Sequence, residues 1–305
     1  MIQGLRQVSG REVQIFPTAR PPLPPSNPDQ FVAMDVTDGA AVTAVVEEIS
    51  PTHIVHLAGF STIAEADHNH EMAWRVHLGG TLNIARAIEA TVPQCTLIYA
   101  GSGQVYGATG RSGPPLHEGA VLAPTNIQMV TKAAADLALG ALAEEGLRCV
   151  RFRPFNHTGP GQSERFAIPN FAMQLARIKT GQQEPLLHVG NLDTERDFLD
   201  VRDVVSAYIQ AIFTTAPLER GEIFNIASGI PRRIGDVLQK MFAISGVSPS
   251  LDAEHGLMRA GEIPRFVGDS SKARRLLNWA PAHTFEQTLG EIIEYWDRVV
   301  QTSPT

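Results

Sequence analysis

The sequence predicts an α/β fold: a doubly wound parallel sheet with a smaller C-terminal lobe. Three observations carry this. Short apolar runs alternate with helical patterns through the first half of the chain, the order that builds strand–helix–strand crossovers. The apolar runs are continuous rather than alternating, as in strands covered on both faces. After Asn156 the texture turns to Gly/Pro-rich loops, shorter strands and helices, which suits a lobe over the C-terminal edge of the sheet, where ligands bind in this fold class.

The elements follow in order. Ile2 to Val8 reads as the tail of a helix, and EVQIF (Glu12 to Phe16) as the second strand of a nucleotide-binding unit. ARPPLPPSNPDQ (Ala19 to Gln30) is Pro-rich and reads as extended or mobile. HIVHLAG (His53 to Gly59) reads as a buried strand and MAWRVHLGGTLNIARAIEA (Met72 to Ala90) as a long helix. CTLIYAGS (Cys95 to Ser102) is a strand, TKAAADLALGALAEEG (Thr131 to Gly146) a helix ending at a Gly, and LRCVRFRPFN (Leu147 to Asn156) a third strand. HTGPGQSERF is a loop, and turns are expected at Gly181, Gly190, Gly221 and Gly229. Asp269 to Val300 reads as two helices around a Trp-Ala-Pro break. The expected division is residues 1–155 for the sheet domain and 156–305 for the lobe, with some lobe segments returning to the sheet. No G-x-G-x-x-G or G-x-x-G-x-x-G stands upstream of the second strand, so either the chain is short at its N-terminus or the phosphate-binding turn is missing.

The 305 residues are 43% hydrophobic, ample for a large core. A formal charge of −7 without a basic block argues against nucleic acid and anionic membranes as partners. No apolar run is long enough to span a bilayer and no signal-peptide core opens the chain, so a cytoplasmic protein is expected. Cys95 and Cys149 lie in apolar runs without metal-ligand spacing and read as core residues in a reducing compartment; no metal site is expected.

HLAG, AGSGQVYG, TKAAAD, RFRPFNHTGPGQ and RDFLDVRDV occur in one order between about Val32 and Trp296. In that order and spacing the chain resembles the extended short-chain dehydrogenase/reductase family (NAD-dependent epimerases and dehydratases), whose Rossmann-fold members act on nucleotide sugars. RPFNHTGPGQSERFAIPNFAMQLARI and VGNLDTERDFLDVRDVVSAY most resemble the reductases of GDP-4-keto-6-deoxy-mannose, which make GDP-rhamnose, and are also similar to GDP-mannose 4,6-dehydratases.

The resemblance implies NADP or NAD as cofactor and a GDP-linked sugar as substrate. It places Asp35 and Val36 at the adenine, and Leu57, Ala58 and Gly59 beneath the dinucleotide. Ser102, at a strand end, would hydrogen-bond the substrate carbonyl. Lys132 would bind the nicotinamide ribose and tune a catalytic Tyr four residues earlier, but Gln128 stands there. An amide cannot titrate, although it can donate a hydrogen bond to a carbonyl oxygen. Gln104 falls where the dehydratases carry a catalytic Glu, which argues against dehydration. His77 replaces an Asn usual in the family. On the substrate side Asn156 would meet the diphosphate. His157 through Gly161 would shape the sugar pocket, and His157 has a reference pKa suited to proton transfer. Arg196 would face the nucleotide, Arg259 the diphosphate and Glu262 a ribose. Asp200 and Asp203 would open the next helix. Arg20, after the second strand, is a candidate for a 2′-phosphate.

Three readings follow: a reductase of a GDP-linked 4-keto-6-deoxy hexose, a nucleotide-sugar epimerase with an altered acid, and a degenerate nucleotide-sugar-binding homologue. Family members pair through two helices per subunit, here Met72–Ala90 and Thr131–Gly146, so a homodimer joined by a four-helix bundle is expected.

Overall fold

The computed structural model describes all residues except 9–12, 24–30, 61, 215–217, 255–261 and 303–305. The first elements are α1 (Ile2–Arg6), β1 (Thr18–Ala19), β2 (Val32–Ala33), α2 (Gly39–Ile49) and β3 (His53–His56). α3 (Ile63–His68) and α4 (His70–Trp74) lead through a π-helical segment, Arg75–Gly80, into α5 (Thr81–Thr91). β4 (Thr96–Ala100) precedes a 3-10 segment, Gly103–Ser112. Then come α6 (Ile127–Glu145), β5 (Cys149–Pro154), β6 (Asn156–Thr158), α7 (Ala167–Lys179), β7 (Leu186–Val189), β8 (Glu195–Asp200) and α8 (Val201–Phe213). β9 (Glu222–Ile226), β10 (Pro231–Arg233), α9 (Ile234–Ser245), β11 (Ser250–Ala253), β12 (Arg265–Phe266), α10 (Ser271–Leu277) and α11 (Phe285–Thr302) complete the order.

β3, β4, β5 and β9 form one parallel sheet in that order. In register, Ile54 sits beside Leu97, Leu97 beside Cys149, and Phe152 beside Phe224. One face is covered by Val42, Val46, Ile84, Ile88, Leu139 and their neighbours from α2, α5 and α6. The other is covered by Val204, Ala207 and Tyr208 of α8 with Ala273 and Leu277 of α10. The sheet is therefore doubly wound, and α8, β9 and α10 are the segments that return to it. A separate core joins α7, α9 and α11 to β7 and β8 through Leu175, Leu238, Met241, Leu289 and Trp296. The break between α10 and α11 is held by Trp279, whose Nε1 donates to the Asp203 carbonyl at 2.9 Å. Both cysteines are free and buried. No helix among the described residues is long and apolar enough to cross a membrane.

The structure corrects the start of the chain. Residues 13–16 of EVQIF form no strand, and residue 12 lies outside the described residues. The parallel pair is instead Thr18–Ala19 with Val32–Ala33. A strand exists only where a neighbour accepts its hydrogen bonds, and the neighbouring run here is two residues long, so the apolar character of EVQIF leaves Phe16 exposed. The Met72–Ala90 helix is continuous in direction but widened by the π segment, which carries His77. The end of the Pro-rich stretch, residues 24–30, lies outside the described residues. Gly181, Gly221 and Gly229 hold positive φ, as turn glycines do.

Candidate functional site

The C-terminal edge of the sheet collects the candidate residues from the ends of β3, β4 and β5. At the end of β3 the chain exposes Leu57, Ala58 and Gly59 in succession, with Leu57 53% exposed. This is an apolar ledge with open backbone. Just past β2, Asp35 accepts from the Thr37 N–H and hydroxyl, both at 2.8 Å. The Thr37 amide, above all, holds the Asp35 carboxyl below the usual carboxylate range, with the cations of Arg20 and Arg75 adding to the effect. Val36 lies against Gly80, where an added Cβ would come within 2.8 Å of its Cγ2.

Two residues past the end of β4 stands Ser102, whose Oγ accepts the Gln104 N–H at 3.2 Å and thereby opens the 3-10 segment. That segment turns back at Gly107, with φ +46°; a Cβ there would stand 1.9 Å from the Ala123 carbonyl oxygen, so only glycine fits.

α6 starts from Asn126, whose Oδ1 caps the Met129 N–H. This places Gln128 in the first turn, 2% exposed, with Nε2 donating to the Phe60 carbonyl at 2.9 Å. The Phe60 N–H in turn donates to His77 Nε2 at 2.9 Å. Nε2 therefore carries the lone pair and Nδ1 the proton, so Nδ1 donates to Thr131 Oγ1 at 2.7 Å. The Thr131 hydroxyl donates to the Gln128 carbonyl at 2.9 Å. Gln128 and His77 thus grip the two sides of the residue that follows the ledge. Gln128, expected to face a substrate carbonyl, spends an N–H on the protein's own backbone.

Lys132 lies one turn further along α6, half-buried. Among the described residues no carboxylate pairs with it, and desolvation lowers its pKa to about 8. Three histidines face it. His56 and His77 are both brought down to about 4, by burial first and by the Lys132 cation second. His157 is lowered by burial too, although its bond to the Phe155 carbonyl opposes this and Lys132 adds to it. The Thr81 hydroxyl donates to the His77 carbonyl at 2.5 Å, so His56 Nε2 donates to Thr81 Oγ1 at 3.1 Å. His157 Nδ1 donates to the Phe155 carbonyl at 3.0 Å. All three rings are neutral.

α6 is anchored to β5 from behind. Asp136 accepts from Arg153 Nη2 at 2.8 Å and Nε at 2.9 Å, and from Arg151 Nη1 at 3.1 Å. Asp136 and Arg153 are both buried. Arg153 also donates to the Tyr106 hydroxyl, which donates to Asn225 Oδ1 at 2.7 Å.

On the lobe side β6 runs parallel to β8, with Asn156 beside Phe198. Asn156 Oδ1, Thr158 Oγ1 and Gln162 Oε1 are buried without a hydrogen-bond partner. Arg196 and Glu262 meet each other: Nη2 donates to Oε1 at 2.9 Å, while Nη1 donates to the carbonyls of Glu195 and Ile263. Arg259 lies outside the described residues. Asp200 caps α8 as expected, and Arg202 pairs with Asp200 and with Glu291 of α11.

A family model described as GDP-mannose 4,6 dehydratase matches residues 19–292. The chain belongs to this family. It is 35% identical over 252 residues to the GDP-6-deoxy-D-mannose reductase of Pseudomonas aeruginosa, covering 82% of each chain. It is 28% identical to the GDP-6-deoxy-D-talose 4-dehydrogenase of Aggregatibacter actinomycetemcomitans, covering 80% of this chain and 79% of that one. Among solved structures, RMD from Pseudomonas aeruginosa complexed with NADPH superposes with a TM-score of 0.80 at 32% identity, over 88% of this chain and 91% of that one.

Within this member of the GDP-mannose 4,6-dehydratase family, sequence reasoning missed three participants. The Phe60 peptide and Thr131 close the grip of His77 and Gln128, and Gln162 adds an unpartnered acceptor beside Asn156 and Thr158. Gln162 lies in the HTGPGQ stretch, which offered a signal. The Phe60 peptide offered none, since a backbone group has no residue-type signature.

Proposed function

We propose that the protein reduces a GDP-linked 4-keto-6-deoxy hexose with NADPH or NADH. The observation that carries this is the trio of buried, unpartnered oxygens Asn156 Oδ1, Thr158 Oγ1 and Gln162 Oε1, in β6 and the loop that follows it. Leaving a buried polar atom unpaired costs about 1–3 kcal/mol, and a ligand rich in hydroxyl and phosphate groups removes that cost. The similarity to a GDP-6-deoxy-D-mannose reductase supports the same substrate class. Residues 1–155 are assigned to the coenzyme and 156–305 mainly to the sugar nucleotide. A dinucleotide fits the ledge of Leu57, Ala58 and Gly59, with Asp35 and Val36 at one end and Lys132 at the other. When bound, the dihydronicotinamide supplies hydride. Ser102 orients the carbonyl, and Asn156, His157, Arg196, Arg259 and Glu262 hold the substrate. Gln104, at the position of the dehydratase acid, leaves reduction without a competing elimination. In the position of the family's Tyr, Gln128 acts by holding the Phe60 loop. The buried thiols of Cys95 and Cys149 support a reducing, cytoplasmic setting.

The test is oxidation of NADPH or NADH by GDP-4-keto-6-deoxy-mannose, followed by absorbance. The expected result is turnover, with kcat/KM falling about 10–100-fold in Asn156→Ala. Calorimetric binding of the GDP-sugar without coenzyme binding would instead establish a binding homologue.

We also propose a homodimer through the helix pair of α4–α5 and α6. These helices pack side by side and expose Leu137 (59%) and Trp74 (38%) on the outer surface. Leu137→Glu is expected to convert the dimer to a monomer in light scattering. A wild-type monomer at micromolar concentration would refute the assignment.

A further inference from the structure

Reduction of a carbonyl needs a proton at oxygen as hydride reaches carbon. The groups around the site can be taken in turn. Gln128 is non-titrating, and its amide is bonded to the Phe60 carbonyl. His77 has both ring nitrogens engaged, with Nε2 accepting a backbone N–H that cannot reverse. His56 is buried and commits its Nε2 proton to Thr81. His157 commits its proton to the Phe155 carbonyl and leaves Nε2 as an acceptor. The Tyr99 hydroxyl is buried and donates to the Lys132 carbonyl at 3.3 Å. Tyr106 is buried between Arg153 and Asn225. The Ser102 hydroxyl can orient or relay, but it must be resupplied with its proton.

Lys132 differs from all of these. Its ammonium has no carboxylate partner among the described residues, and the titratable groups facing it are neutral rings from three elements: His56 of β3, His77 of the π segment and His157 of β6. We propose that Lys132 is the proton donor of the reduction, in place of a residue at position 128. The proposal rests on the ketosugar-reductase reading above. The N–H bond of the ammonium breaks and its electron pair stays on Nζ. An O–H bond forms on the former carbonyl oxygen while the dihydronicotinamide gives hydride to carbon and is oxidised. The neutral amine then regains a proton from solvent. The depressed pKa of about 8 suits this role, because a donor works best when it gives and recovers its proton near the working pH.

The experiment combines three readouts. Lysine-selective NMR of the coenzyme-free protein should show one ammonium titrating near pH 8, absent from Lys132→Arg. The kcat/KM for reduction should decline as pH rises through the same value, since the charged form is the donor. Lys132→Arg keeps the cation but not a transferable proton, so kcat should drop about 10²–10⁴-fold, a larger loss than the change in NADPH Kd read by fluorescence titration. Lys132→Arg combined with Gln128→Tyr should regain at least about tenfold, because a phenol then supplies the proton; that recovery also shows that the Arg variant folds. Retained kcat in Lys132→Arg, or a rate independent of pH between 7 and 9.5, overturns the role of Lys132 alone. A wild-type chain that binds NADPH but reduces no GDP-4-keto-6-deoxy sugar, or binds no NADPH, overturns the reductase reading and this role with it.

Discussion

Asp136→Asn is expected to lower the free energy of unfolding by about 3–5 kcal/mol, the usual cost of leaving one member of a buried ion pair behind. Asp136 is 1% exposed and receives three bonds from two arginines of β5. An amide presents one acceptor oxygen where the carboxylate presents two, so Arg153, itself 3% exposed, loses a partner it cannot replace with water. The pair keeps Arg153 charged, its acidity pushed well below that of a free guanidinium by the Asp136 bonds despite burial. Because the same helix carries Gln128 and Lys132, the damage should reach the site as well: NADPH binding and thermal stability should fall together. Chemical denaturation read by circular dichroism checks this, and a loss under 1 kcal/mol would mean that the network is dispensable.

The second large effect concerns His77 and Gln128. His77→Ala frees the Phe60 N–H and the Thr131 hydroxyl; Gln128→Ala frees the Phe60 carbonyl. Each single change should cost about 1–3 kcal/mol. The double change should cost less than the sum by about 0.5–2 kcal/mol, because once the loop is released on one side the second bond holds little. A double-mutant cycle in urea tests this, and strict additivity would show two unrelated substitutions. The histidine also sets an acid limit. Its pKa is about 4 in the fold against 6.5 when free, so the unfolded chain takes up the proton first and stability falls as pH drops from 6.5 toward 4. His77→Ala should flatten that slope.

The strands β3 and β4 and the helix α6 were legible as short apolar runs or an apolar helical face, and β5 through Cys149, Val150 and Phe152 despite Arg151 and Arg153. The same rule misread EVQIF, since apolar character does not reveal whether a neighbouring strand exists. The loop after β6 was legible as a loop through HTGPGQ. The two departures at positions 77 and 128 were also visible, yet they looked like separate losses. Their meeting depends on Phe60, 68 residues before Gln128 in sequence, and on Thr131, 54 residues after His77. The π segment that turns His77 inward has no residue signature of its own. Arg196 and Glu262 were each read as ligand contacts; that they bind one another is a fact of tertiary pairing between β8 and the strand that follows Glu262.

The circuit through Phe60, His77, Thr131 and Gln128 has a direction. A proton wire works by letting every member reverse, donor becoming acceptor as charge hops along. A backbone amide cannot reverse, so His77 is locked in one tautomer and the chain of bonds conducts nothing. Next to Lys132, the proton donor proposed above, such a circuit is an insulator. It closes a leakage route through the helix and leaves the open, ligand side as the way out.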